Sequence, residues 1–283
     1  MGSKIKGYVL RTVVAGRIRE TKKMSVGGVG LGGRRGRNEH ETSEAKKKRN
    51  KRIMRERIRW ALNANFGEGD LHLVLHYYSQ AALTLEQAEA DKRDFLCKLR
   101  KHMRKNSLPW KYIAVTETKS MTRIHHHIVL PYIDPAILQS IWSDVLGGRK
   151  GSVSFQLLDD RGNHDELASY LLKESESTSE RFRAEGKRYK RFTMAQGMVR
   201  PVPKYEKIPR GSWRKEPKPS KGWHLIKDKD GRTVRTGEDD FSGNSWQEYF
   251  EIWVGEGKAP GSMRKSVLPR LNRKKGKTAR RRE

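Results

Sequence analysis

From Leu71 to Leu158 the spacing of apolar residues switches between a strand period and a helix period, and the order of these switches limits the chain to very few folds. Leu71, Leu73, Leu75 and Tyr77 share one strand face, because side chains of an extended chain alternate sides. Thr84 and Gln87 then have capping-box spacing, and Leu85, Ala88, Phe95, Leu96, Leu99 and Met103 recur at helical intervals until Pro109 ends the pattern. Tyr112 to Thr118 and Arg123 to Leu130 read as strands joined by the short polar link Lys119 to Thr122, as in a hairpin. Asp134 before Pro135 is a helix start, with Ile137, Leu138, Ile141, Trp142 and Val145 as its apolar face, and Gly147 with Gly148 stops it. Ser152 to Leu158 reads as a further strand, and Asn163 with Glu166 predicts another capped helix running to about Lys173.

The order β-α-β-β-α-β predicts an α+β fold of the ferredoxin-like kind, an antiparallel sheet with helices on one face and the other face open for a site. On this reading residues 1–66 are a basic N-terminal segment, 67–205 the compact domain and 206–283 a basic C-terminal extension. The N-terminal segment holds a short apolar run, Tyr8 to Ala15, and a glycine-rich stretch, Gly27 to Gly36, that cannot pack alone. Glu41 to Asn65 contains no Gly or Pro and predicts a long cationic helix, either a DNA contact or an ordinary solvated helix. Residues 188–203 are expected to add one more strand, and Trp213, Trp223, Trp246 and Trp253 to form a small satellite cluster. The stretch from Arg264 to Glu283 carries ten basic residues against one acidic, and is expected to be a disordered, phosphate-binding tail.

Lys and Arg total 62 against 33 acidic residues, a formal net charge of +29, far beyond what solubility requires. The expected partner is therefore polyanionic, and nucleic acid is favoured over an anionic membrane surface. Cys97 is the single cysteine, which excludes an intramolecular disulfide framework and a cysteine-based zinc module. No run approaches the roughly 18 apolar residues of a membrane span, and Met1 to Arg11 lacks an apolar signal-peptide core. A cytoplasmic protein without membrane association is expected.

The chemistry-bearing stretch is Arg123-Ile124-His125-His126-His127-Ile128-Val129-Leu130. Alternation on a strand points His125 and His127 to one side and His126 to the other. Glu117 lies eight residues before His125, and a hairpin can bring its carboxylate beside both imidazoles. Two nitrogens and one oxygen make a facial site with open positions, suited to a divalent ion that also holds a phosphate oxygen. An engineered tag would be longer and terminal; ordinary strand histidines or a structural zinc site are the remaining plain readings. Further on, Tyr170 and Lys173 are three apart on a predicted helix and project together, a nucleophile beside a cation. Taken alone Tyr-x-x-Lys is weak, since a helical Tyr between leucines is usually core.

In combination, the His-x-His strand, the upstream Glu117 and the later Tyr170-Leu171-Leu172-Lys173 resemble the HUH endonucleases, specifically the rolling-circle replication initiator (Rep) proteins of bacterial plasmids and phages. The similarity runs over roughly Ile58 to Pro203 and includes Leu62-Asn63-Ala64-Asn65-Phe66, Gly69-Asp70-Leu71 and Tyr112-Ile113-Ala114-Val115-Thr116-Glu117. The resemblance implies an HUH nuclease domain using Mg²⁺ or Mn²⁺, with His125 and His127 as metal ligands, Glu117 as the third ligand, Tyr170 as nucleophile and Lys173 as its helper. It also implies nicking of single-stranded DNA at a replication origin through a 5′-phosphotyrosine, and rejoining of the ends. This sequence departs from the family at His126, where a hydrophobic residue is usual, and at Leu73-Val74-Leu75-His76-Tyr77, where the family commonly reads Leu-Thr-Leu-Thr-Tyr. His76 is either a DNA contact or a neutral substitution.

No P-loop of the form G-x-x-x-x-G-K-[ST] occurs, so unwinding would fall to a host helicase, with a host polymerase extending the 3′ end. Tyr8 and Tyr189 are poorly framed as nucleophiles. Two other readings stay open: a relaxase or single-strand transposase of the same HUH chemistry, and a non-catalytic nucleic-acid-binding module on a ferredoxin-like sheet.

Overall fold

In the computed structural model the described residues are 7–26, 44–78, 83–118, 123–159, 163–209, 212, 216–228, 230–240 and 242–262. In chain order the elements are β1 (Gly7–Ala15), β2 (Ile18–Val26), α1 (Glu44–Asn65), β3 (Leu71–Tyr77), α2 (Leu85–Lys105), β4 (Ile113–Thr118), β5 (Ile124–Leu130), α3 (Pro135–Leu146), β6 (Gly151–Leu157), α4 (Asp165–Ala184), β7 (Thr193–Met194), β8 (Lys204–Ile208), β9 (Trp223–Leu225), β10 (Val234–Glu238) and β11 (Ser245–Trp253).

The central sheet runs β6-β3-β5-β4-β7 with every neighbouring pair antiparallel. Its first four strands have the ferredoxin-like order, and the α+β expectation holds. Alternation along β3 sends Leu71, Leu73 and Leu75 to one side, where they are fully buried against Phe95 and Leu99 of α2 and Leu138 and Trp142 of α3. These helices start and stop where side chains settle orphan backbone groups: Thr84 accepts from the amide of Gln87, Asp134 from that of Ala136, and Gly147 ends α3 in the left-handed conformation.

The opposite face is not the open surface expected. Ile113, Val115 and Val129 pack there against Ile58 and Leu62 of α1 and Leu171 and Leu172 of α4. The α4 helix also begins and ends elsewhere than predicted. Its N-cap is His164, which makes no side-chain capping bond, and it continues to Ala184 rather than stopping near Lys173. Its polar second half persists because small residues face β4: Thr178 is fully buried and donates to the Thr116 carbonyl at 2.7 Å, and Ser175 is buried beside it. The strand expected within residues 188–203 shrinks to Thr193–Met194, paired at the β4 edge.

Residues from both basic flanks form a second sheet, of order β10-β11-β2-β1-β8 with β9 on β11. The β1–β2 hairpin, unable to pack alone, sits between C-terminal strands β11 and β8. The tryptophans do not make one cluster. Trp223 and Trp253 lie 5.5 Å apart between centroids, while Trp246, at odd spacing from Trp253 on the regular strand β11, takes the other face beneath the Lys22 ammonium. Trp213, the glycine-rich stretch and the tail from Arg264 lie outside the described residues.

A buried ionic network on α1 joins the two sheets. Arg11 of β1 donates to Glu56 at 2.7 Å, and Arg59, 1% exposed, bridges Glu20 of β2 and Asp165 at the start of α4. Trp60 Nε1 also donates to Glu20, at 2.7 Å. Such buried charges persist only when each is paired and hydrogen-bonded. Among the described residues no helix is long and apolar enough to cross a membrane.

Candidate active site

The β4–β5 register sets Glu117 directly opposite His125 and Val115 opposite His127. Glu117 is therefore the direct cross-strand neighbour of one imidazole and the diagonal neighbour of the other. Its Oε2 lies 3.0 Å from Nε2 of His127 and 3.6 Å from Nδ1 of His125. Glu117 and His127 are buried and His125 is half-buried. Burial pushes the Glu117 carboxyl upward, but hydrogen bonds to His125, His127 and the Glu174 side chain outweigh it and hold the group well below the usual carboxylate range. His126 points away, as alternation predicts, and is fully buried within hydrogen-bond distance of Tyr77 Oη at 3.1 Å and Thr116 Oγ1 at 2.9 Å.

Helix α4 lays Tyr170 over this group. The Tyr170 residue stands edge-on to His127, with ring centroids 5.3 Å apart, and is 42% exposed to solvent. Burial first, then the carboxylates of Glu174 and Glu117, push the Tyr170 phenol above its ordinary value. Lys173 is exposed and makes no ion pair among the described residues.

Three further residues belong to the site that sequence reasoning missed or left undecided. His72 Nε2 lies 3.2 Å from Nδ1 of His127, which turns Nε2 of His127 toward Glu117. Burial, with His127 second, pushes His72 down to about 4, so it is neutral near pH 7. His76 packs its ring on His125 at 4.7 Å between centroids and bonds Ser154 Oγ at 2.8 Å. Glu174 lies one helical turn beyond Tyr170 and meets Glu117. The signal for the histidines was present: His72 and His76 alternate with the core leucines of β3 and so share the face of His125 and His127.

The donor set, two imidazoles and a carboxylate sharing one face, is chemically suited to a divalent cation. The three ligand atoms do not all lie within 4.8 Å of one another; among the described residues only Glu20, Glu56 and Glu248 do so as a trio. That trio is already occupied by Arg11, Lys22 and Arg59, so it is an ion-pair network. Glu117 Oε2 is near a nitrogen of each imidazole, so the wide separation within the set is between the two imidazoles themselves.

Residues 70–178 match the family model described as replication-associated protein ORF2/G2P. The matched segment runs from the start of β3 into α4 and contains Glu117, His125, His127, Tyr170 and Lys173. The resemblance to Rep-type replication initiators holds over this segment, and DNA replication is the role that the match supports. No curated protein and no solved structure matches the chain.

Proposed function

We propose that this chain initiates replication by nicking single-stranded DNA at an origin, with Tyr170 as nucleophile, and stays joined to the 5′ end it makes. The replication setting rests on the family match over residues 70–178. The observation that carries the chemistry is the Tyr170 ring 5.3 Å from the ring of His127, whose Nε2 lies 3.0 Å from Glu117.

Glu117, His125 and His127 would hold Mg²⁺ or Mn²⁺, with His72 orienting His127 through its second nitrogen. When bound, the cation supplies Lewis acidity toward the scissile phosphate and offsets the carboxylate charge that raises the Tyr170 pKa. Tyr170 Oη attacks the phosphorus as the bond to the 3′ oxygen breaks. The proton lost by the phenol is balanced by the one the 3′ oxygen gains, giving a 5′-phosphotyrosine and a free 3′-hydroxyl. Lys173, on the same helix face, is the side chain that would swing onto the charged transition state. The phosphodiester energy stays in the linkage, so a later 3′-hydroxyl can reverse the step and close a circle without ATP. Unwinding and extension would then belong to a host helicase and polymerase.

The test is incubation with single-stranded oligonucleotides and Mg²⁺ or Mn²⁺, followed by denaturing electrophoresis. A denaturant-resistant adduct that disappears in Tyr170→Phe, with DNA binding retained, is the expected result. An adduct that survives in Tyr170→Phe moves the nucleophile elsewhere, and no adduct in the parent protein leaves a binding module.

A further inference from the structure

Between the two sheets lies a cavity of about 1430 Å³, walled by α1, α2, the β1–β2 hairpin, and the segment from Lys190 to Tyr205. It exceeds the roughly 300–1,000 Å³ of a small-molecule pocket. Arg93 and Arg100 reach it from α2, which packs on the sheet face opposite His127, and none of the proposed catalytic residues lines it.

Its wall is built from cations and aromatic rings. Arg11, Lys22 and Arg52 contribute little net charge, because Glu56, Glu248 and Asp239 pair with them. Arg57, Arg93, Arg100, Lys190 and Arg200 are exposed and make no ion pair among the described residues. Between these cations stand Trp110, Tyr112, Phe192, Tyr205 and Trp246. Tyr205 is 61% exposed, Trp110 and Tyr112 lie 5.0 Å apart between centroids, and the Arg100 guanidinium is 6.0 Å from the Trp110 ring.

Unpaired cations suit a phosphate backbone, and aromatic rings set between them suit the faces of unstacked bases. A duplex hides those faces, and a lipid surface would use the cations and the exposed Tyr205 but not the half-buried Trp110, Tyr112, Phe192 and Trp246. We infer that this cavity is a sequence-tolerant groove for single-stranded DNA, a second DNA site separate from the proposed nicking site. The choice of DNA over RNA rests on the proposed function; the preference for a single strand rests on the wall itself.

The test uses full-length protein carrying Tyr170→Phe, so that no strand is cut, and follows fluorescence anisotropy of a labelled oligothymidine, its duplex counterpart and an oligouridine across a salt series. The triple variant R93E/R100E/R200E is compared with K105E/R183E/K227E, which makes the same charge change at exposed positions outside the cavity. The cavity triple is expected to weaken oligothymidine binding more than tenfold and to lower the salt slope by about 2. Tyr205→Ala is expected to weaken it about tenfold with the salt slope unchanged.

Equal losses from the two triples, no loss in Tyr205→Ala, or an equal effect of the cavity triple on duplex would overturn the groove. Tighter binding of oligouridine than of oligothymidine would assign it to RNA and overturn it as stated. Circular dichroism of each variant checks that it is folded. Adduct formation is measured separately with Tyr170 intact. An adduct without groove-dependent binding removes the groove alone; groove-dependent binding without an adduct removes the nicking chemistry alone.

Discussion

Nε2 of His72 lies 3.2 Å from Nδ1 of His127, and the two rings stack at 5.4 Å between centroids. A metal-binding imidazole is usually oriented by a partner on its other nitrogen, and losing that partner commonly costs about 10–100-fold in metal affinity. His72→Ala is therefore expected to raise the Mn²⁺ concentration needed for half-maximal adduct formation by about that factor, with the rate recovering at saturating metal. His72→Gln should recover part of the affinity. A metal requirement identical to that of the parent would show that His72 does not orient the ligand.

His125→Ala and His127→Ala are each expected to abolish cleavage, while His126→Ala should leave adduct formation largely intact. The His126 cost falls on stability, because its removal takes two buried hydrogen bonds, together worth about 1–3 kcal/mol, from Tyr77 Oη, which keeps Asp91, and from Thr116 Oγ1, which keeps Lys92 and Glu89. Urea denaturation beside the adduct assay separates the two effects. Equal loss of cleavage in all three variants would contradict the alternation of faces.

Arg59 ties Glu20 of the second sheet to Asp165 at the start of α4 from a position 1% exposed. Arg59→Met is expected to destabilise the protein by about 1.5–3 kcal/mol, since it removes a charge-assisted hydrogen bond from the buried Glu20, which keeps Arg11 and Trp60, and from the half-buried Asp165, which keeps Arg55 and Arg235. The relevant measurement is the urea midpoint, and a change below about 1 kcal/mol would mean that Arg11, Arg55 and Arg235 suffice to hold the two carboxylates.

His164 begins α4, and burial holds its imidazole below the ordinary histidine value, with its Nε2 buried and unbonded. A histidine whose folded pKa is depressed is protonated more readily in the unfolded chain. Its contribution to stability is therefore present above the unfolded value, about 6.5, and is lost as pH falls through the window below that value. The unfolding midpoint should drop between pH 7.5 and pH 5.5, and the drop should be smaller in His164→Gln. An identical drop in the variant would place the acid sensitivity at other histidines.

Periodicity specified the four ferredoxin-like strands of the central sheet, because strand and helix patterns depend on residues close in sequence: Leu71, Leu73 and Leu75 declare their shared face without any partner in view. The same alternation separated His126 from His125 and His127, and the hairpin brought Glu117 beside them. Local pattern fell short where stability comes from distant contacts. The polar half of α4 reads as a loop until Thr178 meets the Thr116 carbonyl, and the weak C-terminal strands become a sheet only by pairing with the N-terminal hairpin. For the same reason, the buried link from Glu20 through Arg59 to Asp165, and the setting of His72 against His127, emerge only in the assembled chain. Charge pairing and imidazole orientation depend on separations in space, and residues 20, 59 and 165 are too far apart along the chain for any local spacing to announce them.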